Sequence, residues 1–102
     1  MQIARVRGTV VSTHKTRSLT GVKLLLVQYI DADGEPLPKC EVAGDTVGAG
    51  LNEWVLVTRG GAARIDDSSR ERPVDAMVVG IIDTVTVENR MLYSKKEAER
   101  IS

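Results

Sequence analysis

Apolar and polar side chains alternate along most of this chain with the two-residue period of half-buried β-strands. Residues 2–13 form the first such stretch. Ala4, Val6, Gly8 and Val10 fall on one face, Arg5, Arg7 and Thr9 on the other, with Ile3 and Val11 at the ends. A polar loop, His14 to Gly21, leads to a second strand over Val22–Asp31. There Leu24 and Leu26 occupy one face while Leu25, Val27 and Tyr29 occupy the other. The Asp33-Gly34 pair predicts a turn. A short strand, Pro38–Gly44, carries Cys40 and Val42 on one face. A glycine-rich turn, Asp45–Asn52, enters a fourth strand from Glu53 to Arg59. Met77–Val87 reads as the strongest strand, with Gly80 marking a bend or bulge and Asp83 in its middle. Asn89-Arg90 reads as a turn and Met91–Ser94 as a short extension.

About five strands joined by short turns predict an all-β domain, a small five-stranded antiparallel barrel with short helical turns near residues 61–65 and 73–76. One barrel domain spans 1–94, and 95–102 form a charged tail. Residues 66–72 read as a surface loop. Two strands are apolar on both faces, which a small antiparallel sheet rarely covers by itself. A neighbouring subunit would supply that cover.

Composition sharpens this. The 102 residues contain no Phe, one Trp and two Tyr, so Val, Leu and Ile must build the core. Cys40 is the only cysteine, so no intrachain disulfide can assist. A thin core of this kind favours oligomerisation. Fourteen basic residues balance fourteen acidic ones. No basic stripe marks a nucleic-acid binder, no apolar run approaches a membrane span, and no signal-peptide pattern opens the chain. The expectation is a soluble, cytoplasmic protein without nucleic-acid or membrane partners.

Catalytic constellations are thin. His14 is the only histidine, so neither a zinc site nor a cysteine–histidine nucleophile around Cys40 is expected, and no cofactor or metal is predicted. Asp66 and Asp67 sit in a mixed-charge loop. Asp83, placed mid-strand, is the unusual carboxylate; pairing with Arg59 or Arg64 is expected over acid–base work. An enzyme using Cys40 or Asp83 is one rival reading. A barrel that stacks single-stranded nucleic acid on Trp54 is another, but the aromatics Tyr29, Trp54 and Tyr93 are scattered. Trp54 is better placed in a core or a subunit interface.

Several stretches carry a resemblance. Met1-Gln2-Ile3-Ala4-Arg5-Val6-Arg7-Gly8-Thr9, Gly21-Val22-Lys23-Leu24-Leu25-Leu26, Val47-Gly48-Ala49-Gly50, Glu53-Trp54-Val55-Leu56, Gly60-Gly61-Ala62-Ala63-Arg64, Pro73-Val74-Asp75-Ala76 and Val79-Gly80-Ile81-Ile82-Asp83 recur in order. Together they resemble the CcmL/EutN proteins, pentameric vertex proteins of bacterial microcompartment shells. Gly61 stands where that family commonly has Ser. Asn89-Arg90-Met91-Leu92-Tyr93-Ser94-Lys95-Lys96 is similar to the carboxysomal branch. The resemblance implies an oligonucleotide-binding-type barrel in a homopentamer, closing the corners of a shell beside hexameric shell proteins. It also implies a structural role in carbon dioxide fixation and photosynthesis, without catalysis. A ring of five needs small residues at its axis. Gly60, Gly61, Ala62 and Ala63 are the expected lining, with Gly48, Ala49 and Gly50 as the rival run. Arg64, Asp83 and Trp54 are the expected subunit-interface residues.

Overall fold

Five strands close into a barrel in the computed structural model, which describes residues 1–13, 21–60 and 74–101, with side chains to residue 98. The strands are β1 (Gln2–Val10), β2 (Lys23–Ile30), β3 (Pro36–Asp45), β4 (Trp54–Arg59) and β5 (Ala76–Ile81). Around the barrel they run β1-β2-β3-β5-β4 and back to β1. Every pairing is antiparallel except β3–β5, a short parallel seam with Gly44 opposite Met77 and Asp45 opposite Val78. A five-stranded barrel that closes in this way abolishes open sheet edges.

The two-residue period sorts the interior. Ala4, Val6, Leu25, Val27, Tyr29, Ala43, Val55, Val57, Ala76 and Val78 are buried together. Tyr29 is the largest of them, which answers how a chain without Phe fills its core. The single-face reading of β1 needs correction. The pairing of β1 with β2 shifts between Val6 and Gly8, so Val6 lies opposite inward-facing Val27 but Gly8 opposite outward-facing Leu26. One extra residue in one strand turns the following side chains to the other face. In β2 both faces are apolar, yet Leu26 keeps 36% of its surface exposed in the single chain.

The β2–β3 hairpin forms where Asp33-Gly34 predicted a turn. Gly34 has φ +84°, and the Asp31 carboxylate accepts from the backbone N–H groups of Asp33 (2.9 Å) and Glu35 (3.0 Å).

The expected single strand over 77–87 is two elements. β5 ends at Ile81. The Ile82 N–H still donates to the Trp54 carbonyl at 2.9 Å, and the chain then leaves the barrel. Thr84–Val87 (β6) pairs with Arg90–Ser94 (β7) as a hairpin. Its turn is Glu88-Asn89, both at positive φ (50° and 64°), one residue earlier than expected. Val74 to Ala76 do not form the expected helical turn, because Ala76 already pairs with Arg59. Lys95–Ile101, within the stretch expected as a charged tail, is a short helix, α1. Asp83 therefore sits exposed at the junction of barrel and hairpin, not inside an apolar strand.

Candidate functional site

Three features gather the polar and aromatic contacts of this barrel: the end of β4, the glycine-rich loop, and the arm made by β6, β7 and α1.

At the end of β4, Arg59 is the last strand residue before Gly60. Its guanidinium donates to Glu41 Oε2 at 2.8 Å, while the Tyr29 hydroxyl donates to Glu41 Oε1 at 2.5 Å. Glu41 lies opposite inward-facing Val27, so the carboxylate belongs to the barrel interior side of β3. The Lys39 ammonium lies 5.2 Å from the centre of the Tyr29 ring. Burial pushes the Glu41 carboxyl up, but its bonds to Arg59 and Tyr29 and the charges of Arg59 and Lys39 outweigh it and hold it below the ordinary value. Burial, followed by the bond to Glu41, pushes the Tyr29 hydroxyl well above its ordinary range. Arg59 is raised by its bond to Glu41. Gly60 follows with φ +65°, its N–H donating to the Asp75 carbonyl at 2.8 Å. A left-handed residue directly after the anchored Arg59 ends the strand.

A depressed carboxyl stabilises the fold fully above its unfolded pKa, and that contribution is lost as pH falls through the folded value. Glu41 is ionised and engaged at neutral pH, so stability is expected to decline below about pH 4.5, its unperturbed value. Denaturant unfolding followed from about pH 6 down to about pH 3 should show a shallower decline in Glu41→Gln than in the parent. Equal slopes would remove Glu41 from the acid response.

The loop from Asp45 to Glu53 is organised by a buried carboxylate. Asp45 is 3% exposed. Its Oδ1 accepts from Val47 N–H (2.9 Å) and Gly48 N–H (3.2 Å), and its Oδ2 from Ala49 N–H (2.8 Å). Lys23 Nζ donates to the Ala49 carbonyl at 3.2 Å, and Gly50 N–H donates to Glu53 Oε1 at 2.5 Å. Burial opposes ionisation of Glu53, but the Gly50 N–H and the Lys95 ammonium outweigh it and hold its carboxyl low. Gly48 takes φ +88°, which fits glycine there. Ala49 is wholly buried in its own chain.

The arm is docked by one aromatic pair. The Trp54 and Tyr93 rings stack with centroids 4.4 Å apart and planes 14° apart. Trp54 N–H donates to the Tyr93 hydroxyl at 3.4 Å. Lys95 Nζ reaches Glu53 Oε2 at 3.0 Å, and Lys95 N–H donates to the Asp83 carbonyl at 2.8 Å.

Of the residues singled out from sequence, Gly48, Ala49, Gly50, Trp54, Gly60 and Asp83 are placed in the structure. Gly61, Ala62, Ala63, Arg64 and His14, with the loop at 66–72, lie outside the described residues. Cys40 is exposed on β3. The structure joins Trp54 to Tyr93 but shows neither Asp83–Arg59 pairing nor a buried Asp83. Sequence reading passed over Asp45 and Glu41. Asp45 carried a signal, an acid three residues before a glycine in a small-residue run. Glu41 carried none.

Known proteins share this architecture. The profile of the family described as Ethanolamine utilisation protein EutN/carboxysome matches residues 1–83. The carboxysome shell vertex protein CcmL of Synechocystis sp. is 65% identical over 100 residues, covering 98% of this chain and all of that one. The solved structure of Gloeobacter violaceus CcmL superposes with a TM-score of 0.87 at 67% identity, over 94% of this chain and 99% of its own. The GrpN pentameric microcompartment shell protein from Rhodospirillum rubrum follows at a TM-score of 0.77 and 46% identity, over 85% and 99% of the two chains. The family match spans the barrel and the loop, and the alignment to the Synechocystis protein runs on over the arm, so the chain belongs to the EutN/CcmL family of microcompartment shell proteins.

Proposed function

We infer that this chain is a structural vertex protein of the carboxysome shell, acting as a pentamer that closes the corners. The near full-length likeness to carboxysome vertex proteins, together with the pentameric shell protein among its structural neighbours, carries the reading. Closing a corner demands a rigid wedge, not a reactive centre. The acids built into this barrel serve that end: Glu41, Asp45 and Glu53 are each engaged by partners within the chain. The role is structural rather than catalytic, and the neighbours at the corner are hexameric shell proteins tiling the facets.

The five-fold axis is lined by Gly60, Gly61, Ala62 and Ala63. Gly60 supports this: it leaves the barrel directly after an anchored strand end, so β4 can aim a small-residue segment. The rival run Gly48–Ala49–Gly50 is disfavoured by the burial of Ala49 and the use of the Gly50 N–H inside the chain. Arg64, Asp83 and Trp54 take part in contacts between subunits. Native mass spectrometry is expected to give five chains for the parent and loss of the pentamer for Ala62→Trp with the barrel still folded by circular dichroism. A monomeric parent would sink the reading; an unaltered Ala62→Trp pentamer would sink the axial assignment.

A further inference from the structure

The glycine-rich loop and the arm meet at one side chain. Glu53 is the last residue before β4. Its Oε1 accepts from the Gly50 N–H at 2.5 Å, and its own N–H donates to the Gly50 carbonyl at 3.2 Å, so it engages both backbone polar groups of Gly50. Its Oε2 accepts from Nζ of Lys95, the first residue of α1, at 3.0 Å. The two side chains are 21% and 32% exposed, so solvent screens the pair only in part. Gly50 does not take a left-handed φ, so backbone freedom does not account for a glycine there. Space does: a Cβ on Gly50 would stand 3.3 Å from Glu53 Oε1, closer than side chains ordinarily sit. The glycine leaves room for the carboxylate.

We propose that Glu53 is a latch coupling the arm to the loop: displacing the arm frees the carboxylate and loosens Gly50, and pushing on the carboxylate from Gly50 loosens the arm. Such a coupling is reciprocal by thermodynamic necessity. It is carried by two contacts on the two oxygens of one carboxylate, not by a chain of intermediates. A glutamate held at one end only can turn through several rotamers, and the Lys95 ammonium selects the one that also reaches Gly50. Burial opposes ionisation of Glu53; the Gly50 N–H and the ammonium outweigh it, with the Lys23 charge adding to them. Loss of either partner therefore weakens the hold on the other. Leu51 follows Gly50 and is 64% exposed, so whatever moves the arm is felt at an apolar side chain on the surface. All these contacts lie within one chain, so the latch stands or falls independently of the pentamer reading.

Hydrogen exchange on the full chain, at one fixed chain concentration, tests the latch. Lys95→Met removes the ammonium and keeps the length of the side chain. The Gly50 amide is then expected to exchange about two- to five-fold faster, the range a partly exposed ion pair can move, with β1 and β2 amides unchanged. Lys95→Arg should keep the parent's rate. Gly50→Ala perturbs the latch from the other side, and amides of residues 84–94 should exchange faster by a similar factor. In Glu53→Gln, adding Lys95→Met should leave the Gly50 rate where Glu53→Gln alone put it, because the carboxylate that carries the effect is already gone. An unchanged Gly50 amide in Lys95→Met would overturn the latch, as would an effect of Lys95→Met that persists undiminished in Glu53→Gln. If Lys95→Met loosens β1 and β2 as well, Gly50→Ala decides, and unchanged exchange over 84–94 in that variant overturns the latch.

Discussion

Asp45→Ala is expected to lower stability by about 3–4 kcal/mol, a large share of what a domain this size holds. Three backbone N–H groups, of Val47, Gly48 and Ala49, lose one charged acceptor, and the site is too enclosed for water to replace it fully. Bonds to a charged acceptor are stronger than neutral ones, and an orphaned buried donor carries its whole desolvation cost. Asp45→Asn should lose less, because one oxygen survives while the amide nitrogen confronts an N–H. Urea unfolding at one fixed chain concentration checks this, since assembly would otherwise mix into the midpoint. A loss under about 1 kcal/mol for the alanine variant would mean that the loop keeps its shape without the carboxylate.

Trp54→Ala should release the arm without opening the barrel, at a cost of about 2–3 kcal/mol. An isolated two-stranded hairpin is marginal in water, so β6 and β7 depend on what they lean against. That support is the stacked Trp54–Tyr93 pair, the Lys95–Glu53 ion pair, and Gly34, whose hydrogen sits where a Cβ would lie 3.7 Å from the indole. Hydrogen exchange is the direct readout. Amides of residues 84–94 should lose protection while those of β1 and β2 keep theirs. Trp54→Phe should retain most of the protection, since a ring remains to stack. Protection lost equally across the barrel and the arm would show that Trp54 supports the core itself.

The barrel was legible because its evidence is local. The strand-like runs at β1, β2 and β4 and the Asp33-Gly34 turn each occupy a few adjacent residues, and the structure has these elements there, although β1 changes face between Val6 and Gly8. Asp83 was misplaced because Met77–Val87 is apolar enough to read as one strand. The barrel holds this segment only as far as the long-range bond from Ile82 N–H to the Trp54 carbonyl, and no local pattern announces that limit. The helix at 95–101 did have a local signal, Ser94 three residues before Glu97, whose N–H approaches the Ser94 hydroxyl at 3.5 Å; a dense run of charges masked it. The pairs that matter most for the site, Trp54 with Tyr93 and Glu41 with Arg59, join residues 39 and 18 apart, and only the closed topology decides them.

The parallel seam also bears on how the molecule folds. β1 to β3 can form as neighbouring hairpins, and β4 and β5 can pair with one another, but the ring of strands is complete only when β1 meets β4 and β3 meets β5. Just two residue pairs register there, Gly44 with Met77 and Asp45 with Val78, so the step that spans a long stretch of chain is rewarded by the shortest pairing in the barrel. Asp45 belongs both to that seam and to the loop it braces. Asp45 thus ties the ordering of the loop to the closing of this seam, and the finished outer walls of the barrel exist only once both are in place.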